Sequence, residues 1–233
     1  MSQQRSQRID PYAELRHALV EHLRARGIRD ERVLGAMERL PRELFVHPAF
    51  VHRAYEDVAL PLGHNQTISQ PYTVAFMTSL LEVQPGDKVL EVGTGSGYQA
   101  ALLALMGARV YTVECQWELY QRARQLFARL GLPIHMRYGD GSIGWQEHAP
   151  YDGIIVTAGA PRIPQPLLEQ LALGGRLVIP VGELQSQILV RVRRVSEQDY
   201  HYEEFGEFRF VPLVGKEGWQ ELLYRERPTS SSS

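Results

Sequence analysis

Apolar residues recur at three-to-four spacing through the first forty positions, at Leu15, Leu19 and Leu23 and again at Val33, Leu34, Met37 and Leu40. That spacing predicts two amphipathic helices, with Asp30 placed to cap the second. From Glu56 to Gln70 the period is lost, because Pro61, Gly63, Asn65 and Pro71 interrupt any repeat. A long loop with a fixed path is expected there, of the kind that carries function in a compact domain. A helix then runs from Pro71 to about Glu82 and is stopped by the turn signal Gln84-Pro85-Gly86.

Beyond that turn the period changes. Lys88 to Val92 is a short β-rich run entering a glycine cluster, and Ala100 to Met106 is an apolar helical run. The alternation repeats as strand Arg109–Glu114, helix Gln116–Leu130, strand Ile134–Tyr138, strand Gly153–Thr157, helix Gln165–Leu173 and strand Arg176–Val181. Such alternation implies right-handed βαβ units, and hence an α/β, doubly wound, mostly parallel sheet with helices on both faces. Ile188–Val195 and Glu207–Val211 are strand-like with no helix between them, which predicts antiparallel edge strands at the C-terminal side. The chain thus divides into an N-terminal helical cap with its loop (1–79), the sheet domain (80–227) and a Ser-rich tail (228–233) too polar to order.

Composition narrows the function classes. Lys and Arg number 25 against 27 Asp and Glu, so no strong field exists to hold nucleic acid or an anionic membrane, and neither is expected as a partner. The single cysteine, Cys115, excludes an internal disulfide framework and a Cys-rich zinc site, and no metal site is expected. The polar stretch Met1–Asp10 lacks the apolar core of a secretory signal, and Ala100–Met106 is far short of the roughly 20 residues that cross a bilayer. A cytoplasmic monomer is the expectation.

In a doubly wound sheet ligands bind beyond the carboxyl ends of the strands. The first cluster there is Glu91-Val92-Gly93-Thr94-Gly95-Ser96-Gly97, where glycines admit a ligand to the backbone and the following helix aims its N–H groups inward. The spacing G-x-G-x-G departs from a dinucleotide fingerprint, whose third glycine would fall at Tyr98. Glu91, just before the loop, would repel a phosphate and attract a cation. Glu114 closes the next strand, either as a solvated strand end or as an acceptor for both ribose hydroxyls of an adenosine. Asp140, in Gly139-Asp140-Gly141, is either part of a plain turn or an acceptor for an adenine amino group. An adenosine with a cationic 5′ group is S-adenosylmethionine, and the first cluster has the form common to Rossmann-like methyltransferases that use it.

The loop from Leu60 to Pro71, with its run Thr67-Ile68-Ser69-Gln70-Pro71, resembles the signature of the protein-L-isoaspartate O-methyltransferase family. So do Glu91–Ala100, Tyr138–Gly141, Pro150–Pro161, Gly174–Gly182 and Arg209–Val214, in order over most of the chain from Arg42 to Gly215. The resemblance implies methyl transfer from S-adenosyl-L-methionine, giving S-adenosyl-L-homocysteine, to the free α-carboxylate of L-isoaspartyl residues in damaged proteins and peptides. The ester then closes to a succinimide, whose hydrolysis returns some aspartyl linkage. By the same resemblance Ser69 is the active-site serine. Thr67, Ile68, Glu91, Gly93, Thr94, Gly95, Gly97, Glu114, Asp140 and Gly141 are then cofactor-binding residues, and Ser69, Thr157, Ala158 and Val214 face the acceptor. Two alternatives stand beside this reading: a methyltransferase for another carboxylate or small molecule, and a non-catalytic adenosylmethionine-binding module.

The implied chemistry needs no strong base, because an α-carboxylic acid with a pKa of about 3.5 is already ionised at neutral pH. Positioning and exclusion of water remain as the protein's contribution. Ser69 would then be a hydrogen-bonding positioner, although a serine before Gln70-Pro71 and an apolar helix is also placed to be an N-cap. Asn65 stands where the family often has glycine, and asparagine tolerates positive φ well enough to keep the loop's path. His64 is expected to face solvent, Cys115 to pack at a strand end, Arg191, Arg193 and Arg194 to decorate an exposed strand face, and Trp117, Trp145 and Trp219 to pack. The Val211–Val214 edge is a candidate for strand-like pairing with a peptide.

Overall fold

The computed structural model describes residues 10–220, so the expected disorder of 228–233 lies outside the described residues. Helices α1 (Ala13–Ala25) and α2 (Glu31–Arg39) form the cap, and the Asp30 carboxylate accepts from the backbone N–H groups of Arg32 and Val33. Leu19 and Leu23 enter the core with Val33, Leu34 and Met37. Leu15, assigned to the same apolar face by its spacing, is instead 51% exposed, because it stands in the first turn of α1, ahead of the stretch that packs.

Two 3-10 turns, Arg42–Leu44 and Pro48–Arg53, lead into the 56–70 segment. Expected as loop throughout, that segment contains an antiparallel hairpin, β1 (Leu60–Gly63) and β2 (Gln66–Ile68). His64 and Asn65 at its tip have φ of 52° and 56°, the left-handed pair that a tight two-residue hairpin turn demands. Asn65 therefore adopts the conformation anticipated for it.

The main sheet has seven strands in the order β5-β4-β3-β6-β7-β8-β9. They are β3 (Lys88–Val92), β4 (Arg109–Glu114), β5 (His135–Tyr138), β6 (Tyr151–Val156), β7 (Leu171–Gly182), β8 (Gln187–Arg194) and β9 (Tyr200–Phe208). Pairing is parallel from β5 through β7 and antiparallel for β7–β8 and β8–β9. Alternate residues feed two cores: Val89, Ile155 and Val178 face one shared with the cap and with α3 (Pro71–Leu81), α4 (Tyr98–Leu105) and α5 (Trp117–Leu130), whereas Leu90, Ile154 and Leu177 face one shared with α6 (Gln165–Glu169). The chain builds β3, β4 and β5 outward to one side, then returns to place β6 on the other side of β3. The carboxyl ends of β3 and β6 therefore flank the switch point where a crevice opens.

Two element boundaries and one surface differ from expectation. The helix assigned to Gln165–Leu173 ends at Glu169, because Leu171 is drawn into β7 opposite Tyr151 ahead of the bend at Gly174-Gly175. The last strand is Tyr200–Phe208 rather than Glu207–Val211; it pairs with β8 over Tyr200–Glu204 and, after a register slip, at Glu207 and Phe208, and the chain leaves the sheet after Phe208. Arg191 and Arg193 do not decorate an open face. Both meet Glu82, at 2.9 and 3.0 Å, Arg191 also pairs with Glu203, and Arg194 donates to the Leu171 carbonyl.

Candidate active site

The crevice deepens into a cavity of about 650 Å³, within the range of small-ligand sites. Its floor is the glycine cluster. Gly93 has φ of 94°, and a Cβ there would fall 2.7 Å from the Thr157 hydroxyl oxygen, which donates to the Gly93 carbonyl. Gly141 is closed in the same way by Val92. Side chains at these positions would occupy the space that the strand ends leave open.

Two carboxylates are buried at the strand ends. Glu91 is fully buried; the Thr112 hydroxyl donates to its Oε2, Thr94 completes the chain to Thr112 at 2.6 Å, and its Oε1 has no hydrogen-bond partner among the described residues. Burial pushes its pKa up to about 8. Glu114 accepts from the backbone N–H groups of Gly95 and Gln116, both at 2.8 Å, which ties the glycine loop to the end of β4. Desolvation raises its pKa as well, opposed by those bonds.

Of the residues singled out from sequence, Thr67, Ile68, Ser69, Glu91, Gly93, Thr94, Gly95, Glu114, Asp140, Gly141, Thr157, Ala158 and Val214 all line this cavity. Gly97 does not. It precedes α4 with φ of 85°, and a Cβ there would meet the Phe127 ring at 2.7 Å, so its visible task is to seat α4 against α5. Asp140 is heavily engaged: Oδ1 accepts from the N–H and hydroxyl of Ser142 and Oδ2 from the Lys216 N–H, which pins the 214–217 segment over the cavity. One side of the Val211–Val214 edge is also taken, since Gly159 donates to the Val211 carbonyl and accepts from Leu213. Cys115, expected to pack, is exposed and on the cavity wall.

A second chamber of about 200 Å³ adjoins the first, and Thr67, Ser69, Thr157 and Val211 belong to both walls. Ser69 thus stands between two spaces. Its side chain does not cap α3: the Tyr72 N–H is met by Asp57 Oδ1 at 2.8 Å, and no side chain of the α3 N-cap residue does so. Sequence reasoning missed Asp57, missed Arg209, the charged residue of the smaller chamber, and missed Arg42, which donates to the Ser69 carbonyl. Arg209 opens the Arg209–Val214 block but was given no role there, and neither Arg42 nor Asp57 sits in a local motif that would have flagged it.

Carboxyl groups at both strand ends, one of them with an unmatched oxygen that a cation would ionise, suit a ligand carrying a cation and a diol; the residues present fit S-adenosyl-L-methionine. The family model for protein-L-isoaspartate(D-aspartate) O-methyltransferase matches residues 14–218. The protein-L-isoaspartate O-methyltransferase of Salinibacter ruber is 56% identical over 216 residues, covering 88% of this chain and 94% of its own length. That of Chlorobium limicola is 56% identical over 206 residues, with 88% and 94% covered. Among solved structures, a protein-L-isoaspartate O-methyltransferase superposes with a TM-score of 0.79 at 30% identity, over 90% of this chain and 68% of the other. A Plasmodium falciparum chain described as the same kind of enzyme, in complex with S-adenosyl-L-homocysteine, gives 0.75 at 25% identity, over 85% and 98%. With the match running from the cap through the last segment over the cavity, the chain belongs to the protein-L-isoaspartate(D-aspartate) O-methyltransferase family.

Proposed function

We infer that this chain is a protein repair methyltransferase, acting on the free α-carboxylate of L-isoaspartyl residues in damaged proteins and peptides. The observation that carries the reading is the place of Ser69, on the wall shared by a cavity floored with glycines and acids and a smaller polar chamber beside it. When bound, S-adenosyl-L-methionine supplies an electrophilic methyl group on a sulfonium. Glu91 would face the cationic part of that cofactor and Glu114 its ribose, with Gly93, Thr94, Gly95 and Gly141 lining the space and Thr67 and Ile68 closing it from the hairpin.

The Ser69 hydroxyl would donate to one oxygen of the acceptor carboxylate and leave the other free to attack. Thr157, Ala158 and Val214 would bound the acceptor's path, and Thr157 lines both spaces. No side chain need take a proton, since the acceptor arrives ionised. Holding the pair in line at roughly 3–3.5 Å in a site with little water is the catalytic task. The methyl ester that leaves the site closes to a succinimide, and the protein is read as a cytoplasmic monomer. Among the described residues no helix is long and apolar enough to cross a membrane.

Label transfer from S-adenosyl-L-methionine to two peptides that differ only in isoaspartyl against aspartyl linkage tests the reading. Labelling confined to the isoaspartyl peptide is expected. Equal labelling would point to another carboxylate methyltransferase, and cofactor binding with no transfer to a binding module.

A further inference from the structure

Three charged side chains are buried among the described residues: Glu91, Glu114 and Arg42. The two acids face the cofactor space. Arg42 has no part in the reading above, yet it is 0% exposed and lies directly behind Ser69.

Its guanidinium donates from Nε to the Ala54 carbonyl at 2.9 Å and from Nη2 to the Ser69 carbonyl at 2.8 Å. The same group lies over the ring of Tyr98, 4.8 Å from its centroid, and Nη1 has no partner. Tyr98 is the first residue of α4, immediately after the glycine loop, and it lines the large cavity. No carboxylate touches the guanidinium. The Arg42 backbone N–H donates to the Tyr55 hydroxyl, which also receives Arg16 and donates to Glu43, so the backbone at Arg42 is anchored independently of its side chain.

An apolar side chain of similar volume would fill this space without desolvating a cation or stranding a donor. It could not hold a carbonyl. Fixing the Ser69 carbonyl fixes the peptide plane between Ser69 and Gln70, and Gln70 is held in turn by the Asp57 carbonyl at 2.9 Å. With that plane set, the backbone that carries the Ser69 side chain is held relative to α4 and the glycine loop. Arg, with its rigid planar fork, can meet Ala54 and Ser69 at once while its guanidinium stands over the Tyr98 ring.

We propose that Arg42 is the positioning residue of the acceptor loop: seated on Tyr98 and bonded to the Ser69 carbonyl, it sets where the Ser69 hydroxyl stands relative to the cofactor space. The proposal rests on the reading of Ser69 given above. It makes the N-terminal cap part of the catalytic geometry.

Arg42→Lys keeps the charge but loses the fork, and Arg42→Met removes both. In each, kcat on an isoaspartyl peptide should fall about 10- to 100-fold, Met more than Lys, while the Kd for S-adenosyl-L-homocysteine by calorimetry stays within about threefold. Amide hydrogen exchange over residues 66–70 should quicken at a temperature where the variant is fully folded. Should Arg42→Met fail to fold, Arg42→Lys alone decides. Wild-type kcat in a folded variant, an equal loss of cofactor affinity, or unaltered exchange over 66–70 would overturn the proposal. If the wild-type protein itself leaves the isoaspartyl peptide unlabelled, the functional reading fails, and the exchange comparison still decides the role of Arg42.

Discussion

Asp57 Oδ1 accepts the backbone N–H of Tyr72 at 2.8 Å, so the first turn of α3 is capped from a residue fifteen positions upstream. Asp57 also pairs with Arg26, whose guanidinium lies over the Tyr72 ring at 3.8 Å from its centroid. Asp57→Ala should therefore cost about 1–2 kcal/mol, read as a fall in the urea midpoint at constant m. Ser69→Ala should leave the stability within about 0.5 kcal/mol of wild type, with the midpoint nearly unmoved. A destabilised Ser69→Ala would return the capping task to the serine.

For turnover the order reverses. Ser69→Ala should lower kcat on an isoaspartyl peptide by about 10- to 100-fold with the KM for S-adenosyl-L-methionine little changed, because the hydroxyl is assigned to the acceptor and not to the cofactor. Steady-state kinetics with each substrate varied in turn would check this. A loss that falls on the cofactor KM instead would move Ser69 to the other side of the wall.

Glu91 sets a pH dependence whose sign can be worked out. Its pKa stands at about 8 in the folded protein against an ordinary value of 4.5, so the folded state holds the extra proton between those limits. Stability is then greatest, as far as this group is concerned, below the lower limit and declines as pH rises towards 8, by a few kcal/mol in total. Glu91→Gln should flatten the fall in urea midpoint between pH 5 and 8.

Ligand binding should run against the same proton. A cation placed beside the unmatched Oε1 favours the ionised form, so S-adenosyl-L-methionine binding at pH 7 should release close to one proton, measured by calorimetry in buffers of different ionisation enthalpy. In Glu91→Gln the release should vanish and binding weaken. An unchanged proton count would mean that another group takes the cation.

Gly97 offers a test of the loop's packing. An alanine there must adopt φ near 85° and place its Cβ 2.7 Å from the Phe127 ring. Gly97→Ala should cost about 2–4 kcal/mol. A Phe127→Leu background, which makes room, should recover part of it in a double-mutant cycle.

The sheet and its helices were legible because their runs are long enough to show a period and are punctuated by residues such as Pro85, Gly131 and Pro133. The hairpin at 60–68 was not, since strands of four and three residues are too short to establish a period and Pro61 argues against one. Nor was the early start of β7, where Gly174 and Gly175 read as the stop of a helix but sit in a strand that begins at Leu171. At the site, glycines and acids announce themselves by position at strand ends. Arg42 and Asp57 do not, because their partners Ser69 and Tyr72 lie 27 and 15 residues away and the bonds go to backbone atoms, which leave no mark in the partner's identity.

The outer strand β9 ends the sheet with Glu203, Glu204 and Glu207 along it and with Gly206 at φ of 73°. Near that glycine the register with β8 slips between Ile188 and Val190. Like charges and an irregular edge hinder a further strand from adding on. For an enzyme of a family that acts on protein chains, such a border keeps the sheet from becoming a template on which a strand of another chain could add.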